Sequence, residues 1–308
     1  HVALRVHDAR EPLRHLRCLA DGLGEPLQAV EDVVEEGALE RGAKVVISDI
    51  REDTLAEAVA SLGAKGEVIG HKGDVANYAD VEALAQAAVD RFGKVNVLVN
   101  NAGVFAAGVT WEVSLDQYDW VIGVNQRSVI HGIKAFVPHM IAQGDECHVV
   151  TISSGAGITV NPGFCSYSMT KHAVVALSEA LWLDLQTQGV PNIGVTIVMP
   201  GVVQSKIMFP EKTSGALEGE VSQRLSNPVL AAVEASMREA VDNGLPRAEL
   251  VRMVYDAIAN GDLYVLPNFT DEGSQAIAQG IAMGRATAQN WYPNLIAPLL
   301  EGMKEAAQ

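Results

Sequence analysis

From about residue 38 onward the apolar positions switch repeatedly between two spacings, and the switching predicts an architecture. "ALERGAKVVISDI" reads as a helix end, a stop at Gly42 and a buried strand over 44–48. "EDTLAEAVASLGAKG" has the spacing of an amphipathic helix and is stopped by glycines. "EVIGHKGDV" is a short strand, and "YADVEALAQAAVDRFGKV" is a helix with an apolar stripe of Val81, Leu84, Ala88 and Phe92. "VNVLVNNAG" is a strand that runs into a turn. A helix over 114–142 follows, then the strand "HVVTISS" and the helix "YSMTKHAVVALSEALWLDLQTQG". "IGVTIVMPG" and "LYVLPN" supply two later strands. Strands separated by helices imply an α/β fold, a doubly wound parallel sheet covered on both faces. Ligands of such sheets bind beyond the carboxyl ends of the strands.

Three stretches break the rhythm. Residues 1–36 are atypical and are treated below. Residues 206–248 interrupt the strands with Pro, Gly and Met around one helical stretch, and read as a flap over the site. Residues 268–308 form a C-terminal extension, helical around "EGSQAIAQGIAMGRATAQNW". No internal repeat or low-complexity linker divides the chain, so one domain over 1–308 is expected.

Composition narrows the function classes. Hydrophobic content of 48% with 19% charged residues is that of a globular protein with a core. A net charge of −16 disfavours nucleic acid, whose phosphates it would repel. No apolar run approaches the roughly 20 residues needed to span a bilayer, so no membrane partner is expected. The first residues lack a basic start followed by an apolar stretch, and no secretory leader is expected. Cys18, Cys147 and Cys165 show neither metal nor disulfide spacing; a reducing, cytoplasmic setting is expected.

The sharpest chemical signal is "YSMTK", Tyr167 to Lys171. Four-residue separation on a helix puts both side chains on one face, where an ammonium would favour a phenolate. Thirteen residues upstream, Ser154 ends the strand "HVVTISS" and could hydrogen-bond a substrate oxygen that also meets Tyr167. Asn125 ends the helical "WVIGVNQ", and Asn101, Ala102 and Gly103 end the strand "LVNNAG". Taken singly, the Tyr–Lys pair could be a surface pair, and Ser, Asn and Gly are ordinary turn residues.

Together and in this order, these motifs resemble the short-chain dehydrogenase/reductase (SDR) family of the classical type, over residues 38 to about 206. The resemblance rests on "NNAG", Asn125, the Ser154–Tyr167–Lys171 triad and "PGVVQS" at 200–205. It implies a Rossmann-type fold, and NAD(P)-dependent hydride transfer between a secondary alcohol and a ketone. Tyr167 is then the general base in oxidation or the acid in reduction. Lys171 lowers its pKa and holds the nicotinamide ribose, Ser154 polarises the substrate oxygen, and Asn125 anchors a water that links the lysine to solvent. Pro200, Gly201 and Val203 lie along the nicotinamide, and Ser205 takes the usual threonine's place at the carboxamide. The resemblance also implies a homodimer or homotetramer, packed through the long helices.

At the other end of the cofactor, Asp49 closes "VVISDI", where a carboxylate can accept from ribose hydroxyls and repel a 2′-phosphate. That favours NAD over NADP, although Arg51 weighs the other way, and a helix N-cap is the alternative role. Asp74 in "GDV" matches the residue that meets the adenine amino group, with the Val75 backbone beside it; a solvated loop aspartate is the alternative. His131, His139, His148 and His172 have no metal-like company and are expected to be structural; no metal site is expected. Phe164, Cys165 and the Met208–Phe209 pair either line the substrate pocket or simply pack.

The family's phosphate loop, T-G-x-x-x-G-[IL]-G, is not intact. Laid over "RCLADGLG", Gly22 and Gly24 fit its end, but Arg17 and Cys18 stand where threonine and the first glycine belong. Only "HVALRV" at 1–6 resembles a first strand, and it lies too far from Gly22. The segment is a displaced-frame or chimeric replacement, a divergent insertion in which Gly22 and Gly24 still serve, or the mark of a protein that no longer binds a dinucleotide. The first is favoured, with the expectation that the chain binds NAD poorly or not at all. A non-catalytic SDR-like protein is therefore the alternative function; an epimerase or dehydratase, which would lack "NNAG", ranks last.

Overall fold

The computed structural model describes residues 2–6, 30–205, 207, 227–268, 272–290, 292, 293 and 297. In chain order the elements are β1 (Val2–Val6), α1 (Val30–Glu40), β2 (Lys44–Asp49), α2 (Glu52–Gly63), β3 (Val68–Lys72), α3 (Tyr78–Phe92) and β4 (Val97–Asn100). Then come α4 (Leu115–Ile122), α5 (Ser128–Gln143), β5 (Cys147–Ile152), α6 (Cys165–Thr187) and β6 (Ile193–Val198). Last are α7 (Pro228–Asp242), α8 (Arg247–Asn260), β7 (Tyr264–Val265) and α9 (Glu272–Ala286).

The strands form one seven-stranded sheet in the order β3-β2-β1-β4-β5-β6-β7. Its residues alternate between two apolar layers, as a strand buried on both faces requires. Val45, Ile47, Val97 and Val99 face a core shared with Leu55, Leu62, Leu250 and Val254 of α2 and α8. Val46, Leu98 and Val149 face the other core, with Val81 and Leu84 of α3 and Phe136 and Met140 of α5. This is the doubly wound Rossmann-type arrangement that the pattern predicts. Local signals set the boundaries: the Asn77 side chain accepts from Ala79 N at the start of α3, and Gly93, at φ 80°, ends it.

One strand departs from the pattern. β1 fills the central slot but runs antiparallel to both neighbours, with Leu4 opposite Val46 and Leu98. Val2 therefore lies beside Asn100 at the carboxyl edge of the sheet, and Val6 beside Lys44 at the amino edge. The slot between β2 and β4 needs hydrogen bonds on both sides, and a strand of either direction supplies them. What normally imposes the parallel direction is a short turn into the first helix. Here the stretch from 7 to 29 separates β1 from α1, which removes that constraint. Gly22 and Gly24, like Cys18, Met208 and Phe209, lie outside the described residues, and of the stretch expected as a flap only residues 207 and 227–248, with α7 among them, are described.

The helix expected over 114–142 is two helices joined by a single wide turn with i→i+5 bonding, Gly123–Arg127. Such turns recur at functional sites because they displace one residue from the helical ladder. The displaced stretch contains Asn125. The C-terminal extension is helical, as expected, over Glu272–Ala286.

Candidate active site

The carboxyl ends of β4, β5 and β6 deliver the expected residues to one corner of the sheet. β5 ends at Ile152 and leads into Ser154, whose hydroxyl accepts from Ala156 N at 3.1 Å and starts a short 3₁₀ turn, Gly155–Gly157. Gly155 N donates to Pro200 O at 2.7 Å, which ties this turn to the "PGVVQS" loop after β6. Helix α6 then brings Tyr167 and Lys171 back over the strand end, both buried.

The Tyr167 phenol faces the Ser154 hydroxyl. Burial pushes the phenol above the ordinary value, and the Ser154 hydroxyl pulls in the opposite direction. Lys171 sits one turn on, with its ammonium 5.7 Å from the Tyr167 ring centroid, donating to the Ile152 carbonyl at 2.9 Å. Burial lowers the Lys171 pKa to about 8. The sequence argument made the ammonium the main influence on the phenol; desolvation is larger, because both groups sit in a nearly dry corner. The four-residue spacing does place the two on one helix face, as expected.

Asn125 packs against the same corner. Its Oδ1 accepts from Val104 N at 2.7 Å, and its Nδ2 donates to Val104 O at 2.9 Å and to Thr170 Oγ1 at 3.3 Å. A side-chain amide thus grips the backbone just after Asn101, Ala102 and Gly103. Gly103 itself lies close in: a Cβ there would come within 3.6 Å of Lys171 Nζ and 3.8 Å of Asn125 Oδ1. Gly157 is tighter still, since a Cβ would meet Ser153 Oγ at 2.6 Å and the Lys171 carbonyl at 2.9 Å.

The walls around Tyr167 are apolar. Phe105 makes edge-on contacts with Phe164 (4.8 Å between centroids) and with Tyr167 (5.2 Å). Val241 of α7 belongs to the same buried cluster, with Val233 and Met237 packed against it. Phe164 is therefore part of the wall beside the phenol. Cys165 instead accepts from the Tyr118 hydroxyl at 3.3 Å.

The remaining expected residues lie along the same edge. Gly201 N donates to Asn268 Oδ1 at 3.1 Å, and Asn268 Nδ2 donates to Val202 O at 3.3 Å, so Asn268 fixes the loop of Pro200, Gly201 and Val203. Val203 bridges to Leu245, while Ser205 is half-buried nearby in sequence. Farther along, Asp49 closes β2, and its Oδ1 accepts from Arg51 N at 2.6 Å. Gly73 N donates to Asp49 O at 3.1 Å, which brings the Asp74–Val75 turn beside it. Asp74 Oδ1 accepts from Ala76 N at 2.9 Å.

Sequence reasoning missed Phe105, Asn268 and the carbonyl of Ile152. Their roles come from main-chain geometry or from contacts across the fold, for which spacing carries no signal. His148 is structural, as expected: it is buried, its Nε2 meets Thr196 Oγ1 at 2.8 Å, and burial lowers its pKa to about 4. Among the described residues no group of His, Cys, Asp and Glu could hold a metal ion, and Cys147 and Cys165 are free. No helix of the described residues is long and apolar enough to cross a membrane.

Comparison with known proteins agrees with this geometry. The family model for short chain dehydrogenases matches residues 32–214. The chain is 34% identical over 237 residues to a C alpha-dehydrogenase of Sphingobium sp., covering 73% of this chain and 72% of the relative. It is 28% identical over 263 residues to a CLA biosynthesis dehydrogenase/reductase of Lactiplantibacillus plantarum, covering 85% and 89%. Among solved structures, a short chain dehydrogenase/reductase from Burkholderia phymatum in complex with NAD superposes with a TM-score of 0.79 at 34% identity, covering 85% of this chain and 92% of that one. The family model spans more than half of the chain, and on that ground the protein belongs to the short-chain dehydrogenase/reductase family of oxidoreductases.

Proposed function

We propose that this protein interconverts an apolar secondary alcohol and its ketone with a nicotinamide dinucleotide, NAD in preference to NADP. The observation that carries the reading is the meeting of Ser154 and Tyr167 in a buried, apolar corner, with the Lys171 ammonium 5.7 Å from the phenol ring and held by the Ile152 carbonyl. The residues fit such a cofactor. Lys171 makes one hydrogen bond among the described residues and has two further N–H groups for ribose hydroxyls. Gly103 leaves open the space a Cβ would fill beside it. Asp49 at the end of β2 suits the adenosine ribose and disfavours a phosphate there. The cofactor, when bound, takes or supplies the hydride.

The chain's own residues handle the proton and the oxygen. Ser154 donates to the substrate oxygen, where negative charge develops. Tyr167 takes the hydroxyl proton in oxidation or returns it in reduction. The Lys171 ammonium lowers the cost of the phenolate, against burial. Phe105, Phe164 and Val241 exclude water and favour apolar substituents on the carbinol carbon. Exposed Ile141 of α5 and Met169 and Leu183 of α6 support association of copies as a dimer or tetramer.

A panel of alcohols and ketones followed by cofactor absorbance tests the activity. The reading fails if no member of the panel is turned over, or if Tyr167→Phe keeps the full rate. A second reading, a non-catalytic SDR-like protein with impaired dinucleotide binding, is favoured by one feature: β1 runs antiparallel, with Val2 and not Val6 beside Asn100 at the carboxyl edge. Calorimetric titration separates the two, since micromolar NAD affinity sinks the second.

A further inference from the structure

A histidine outside the catalytic corner occupies an unexpected position. His131, on α5, sets Nδ1 2.9 Å from the carbonyl oxygen of Val75 and its ring edge-on to Tyr78, 5.6 Å between centroids. A carbonyl only accepts, so His131 carries its proton on Nδ1. The Ala76 N–H of the same peptide unit donates to Asp74 Oδ1 at 2.9 Å. Both polar atoms of the Val75–Ala76 peptide are therefore held, one by His131 and one by the Asp74 carboxylate. Asp74 N in turn donates to Asp80 Oδ2 at 2.8 Å, which fixes the base of the turn. Helix packing leaves little slack: a Cβ on Gly123 would lie 3.3 Å from Ala76 Cβ.

We propose that His131 is a positioning residue for the adenine end of the cofactor. It holds the Val75–Ala76 peptide so that the Asp74 carboxylate and the Val75 backbone keep the orientation that receives an aminopurine. Without the imidazole donor, the Val75 carbonyl is free to rotate, and the Ala76 N–H that orients the carboxylate rotates with it. His131 touches neither the substrate nor the Tyr167 corner. The inference rests on the dinucleotide reading above, and its test is chosen to separate the two.

The test measures binding of the two halves of the cofactor by calorimetry, using ADP-ribose and nicotinamide mononucleotide on the full chain. His131→Phe keeps the ring contact with Tyr78 and removes the donor; it weakens ADP-ribose about tenfold, leaves nicotinamide mononucleotide unchanged, and raises KM for NAD at constant kcat. His131→Asn presents an amide N–H where Nδ1 stood and restores ADP-ribose affinity to within about threefold. Unchanged ADP-ribose affinity in His131→Phe, equal loss of both halves, or no recovery in His131→Asn overturns the proposal. If the wild-type chain binds neither half, the dinucleotide reading itself falls and takes this inference with it.

Discussion

The Lys171 ammonium donates to the main-chain carbonyl of Ile152, 2.9 Å away, at the end of the same strand that leads to Ser154. The cation is thus fixed by the strand and not by the phenol beside it. Its pKa lies near 8, and burial raises that of Tyr167. Oxidation needs the phenolate, so kcat/KM for the alcohol should rise with pH; reduction needs the phenol and should fall at high pH. In Lys171→Met the rising limb moves to higher pH, and kcat/KM falls by about a hundredfold or more. Rate profiles in both directions from about pH 6 to about pH 10 check this.

The grip of Asn125 on Val104 predicts a combined loss. Asn125→Ala leaves a peptide N–H and C=O without their partners beside a buried lysine. The expected cost is about 2–6 kcal/mol in urea unfolding, at about 1–3 kcal/mol for each of the two orphaned groups. Activity should fall as well, because Gly103 rests against both Lys171 and Asn125. Asn125→Asp restores the acceptor but not the donor, and should recover only part of the stability.

His148 makes a prediction about acid. Its pKa is lowered from 6.5 to about 4 in the folded protein by burial. Between these values the unfolded chain binds a proton that the folded chain refuses, so stability falls as pH drops from 6.5 toward 4. The contribution at the acid end is on the order of 3 kcal/mol. Urea unfolding at the two ends of that window checks it, and His148→Gln should remove most of this slope.

Gly157 predicts a steric effect. In Gly157→Ala the new methyl meets the carbonyl of Lys171 and the hydroxyl of Ser153, which itself donates to that carbonyl at 2.9 Å. Helix α6 has to move away from the Ser154 turn. The expected outcome is a loss of about 1–3 kcal/mol and a fall in kcat larger than any rise in KM. Thermal unfolding and steady-state kinetics report the two parts.

Much of this was legible in the sequence because period and spacing are local. Val45, Val46 and Ile47 announce a strand buried on both faces, and Tyr167 and Lys171 share a helix face by arithmetic alone. "NNAG" and Asn125 lie more than twenty residues apart and meet only through the wide turn at Gly123–Arg127. The sequence suggested the meeting through resemblance, and the i→i+5 geometry is its physical cause. The edge-on Phe105–Tyr167 contact and the Asn268 clamp were invisible, since each joins segments whose approach depends on the whole sheet. The direction of β1 was equally hidden, because a five-residue strand can supply ladder bonds to both neighbours in either sense.

That reversed strand has a consequence for how the molecule assembles. The β3-β2 pair and the block from β4 to β7 have no ladder with each other; β1 alone stitches them. Its pairing partners in β4 lie roughly ninety residues away along the chain, a long loop to close before any reward. The two blocks also meet through the apolar layers, where Val45 and Ile47 pack with Val97 and Val99, so capture of β1 completes a sheet whose halves already share a core. A proline within Val2–Val6 removes a ladder donor from this central strand and should slow refolding, while the apolar layers that span both blocks keep them in contact.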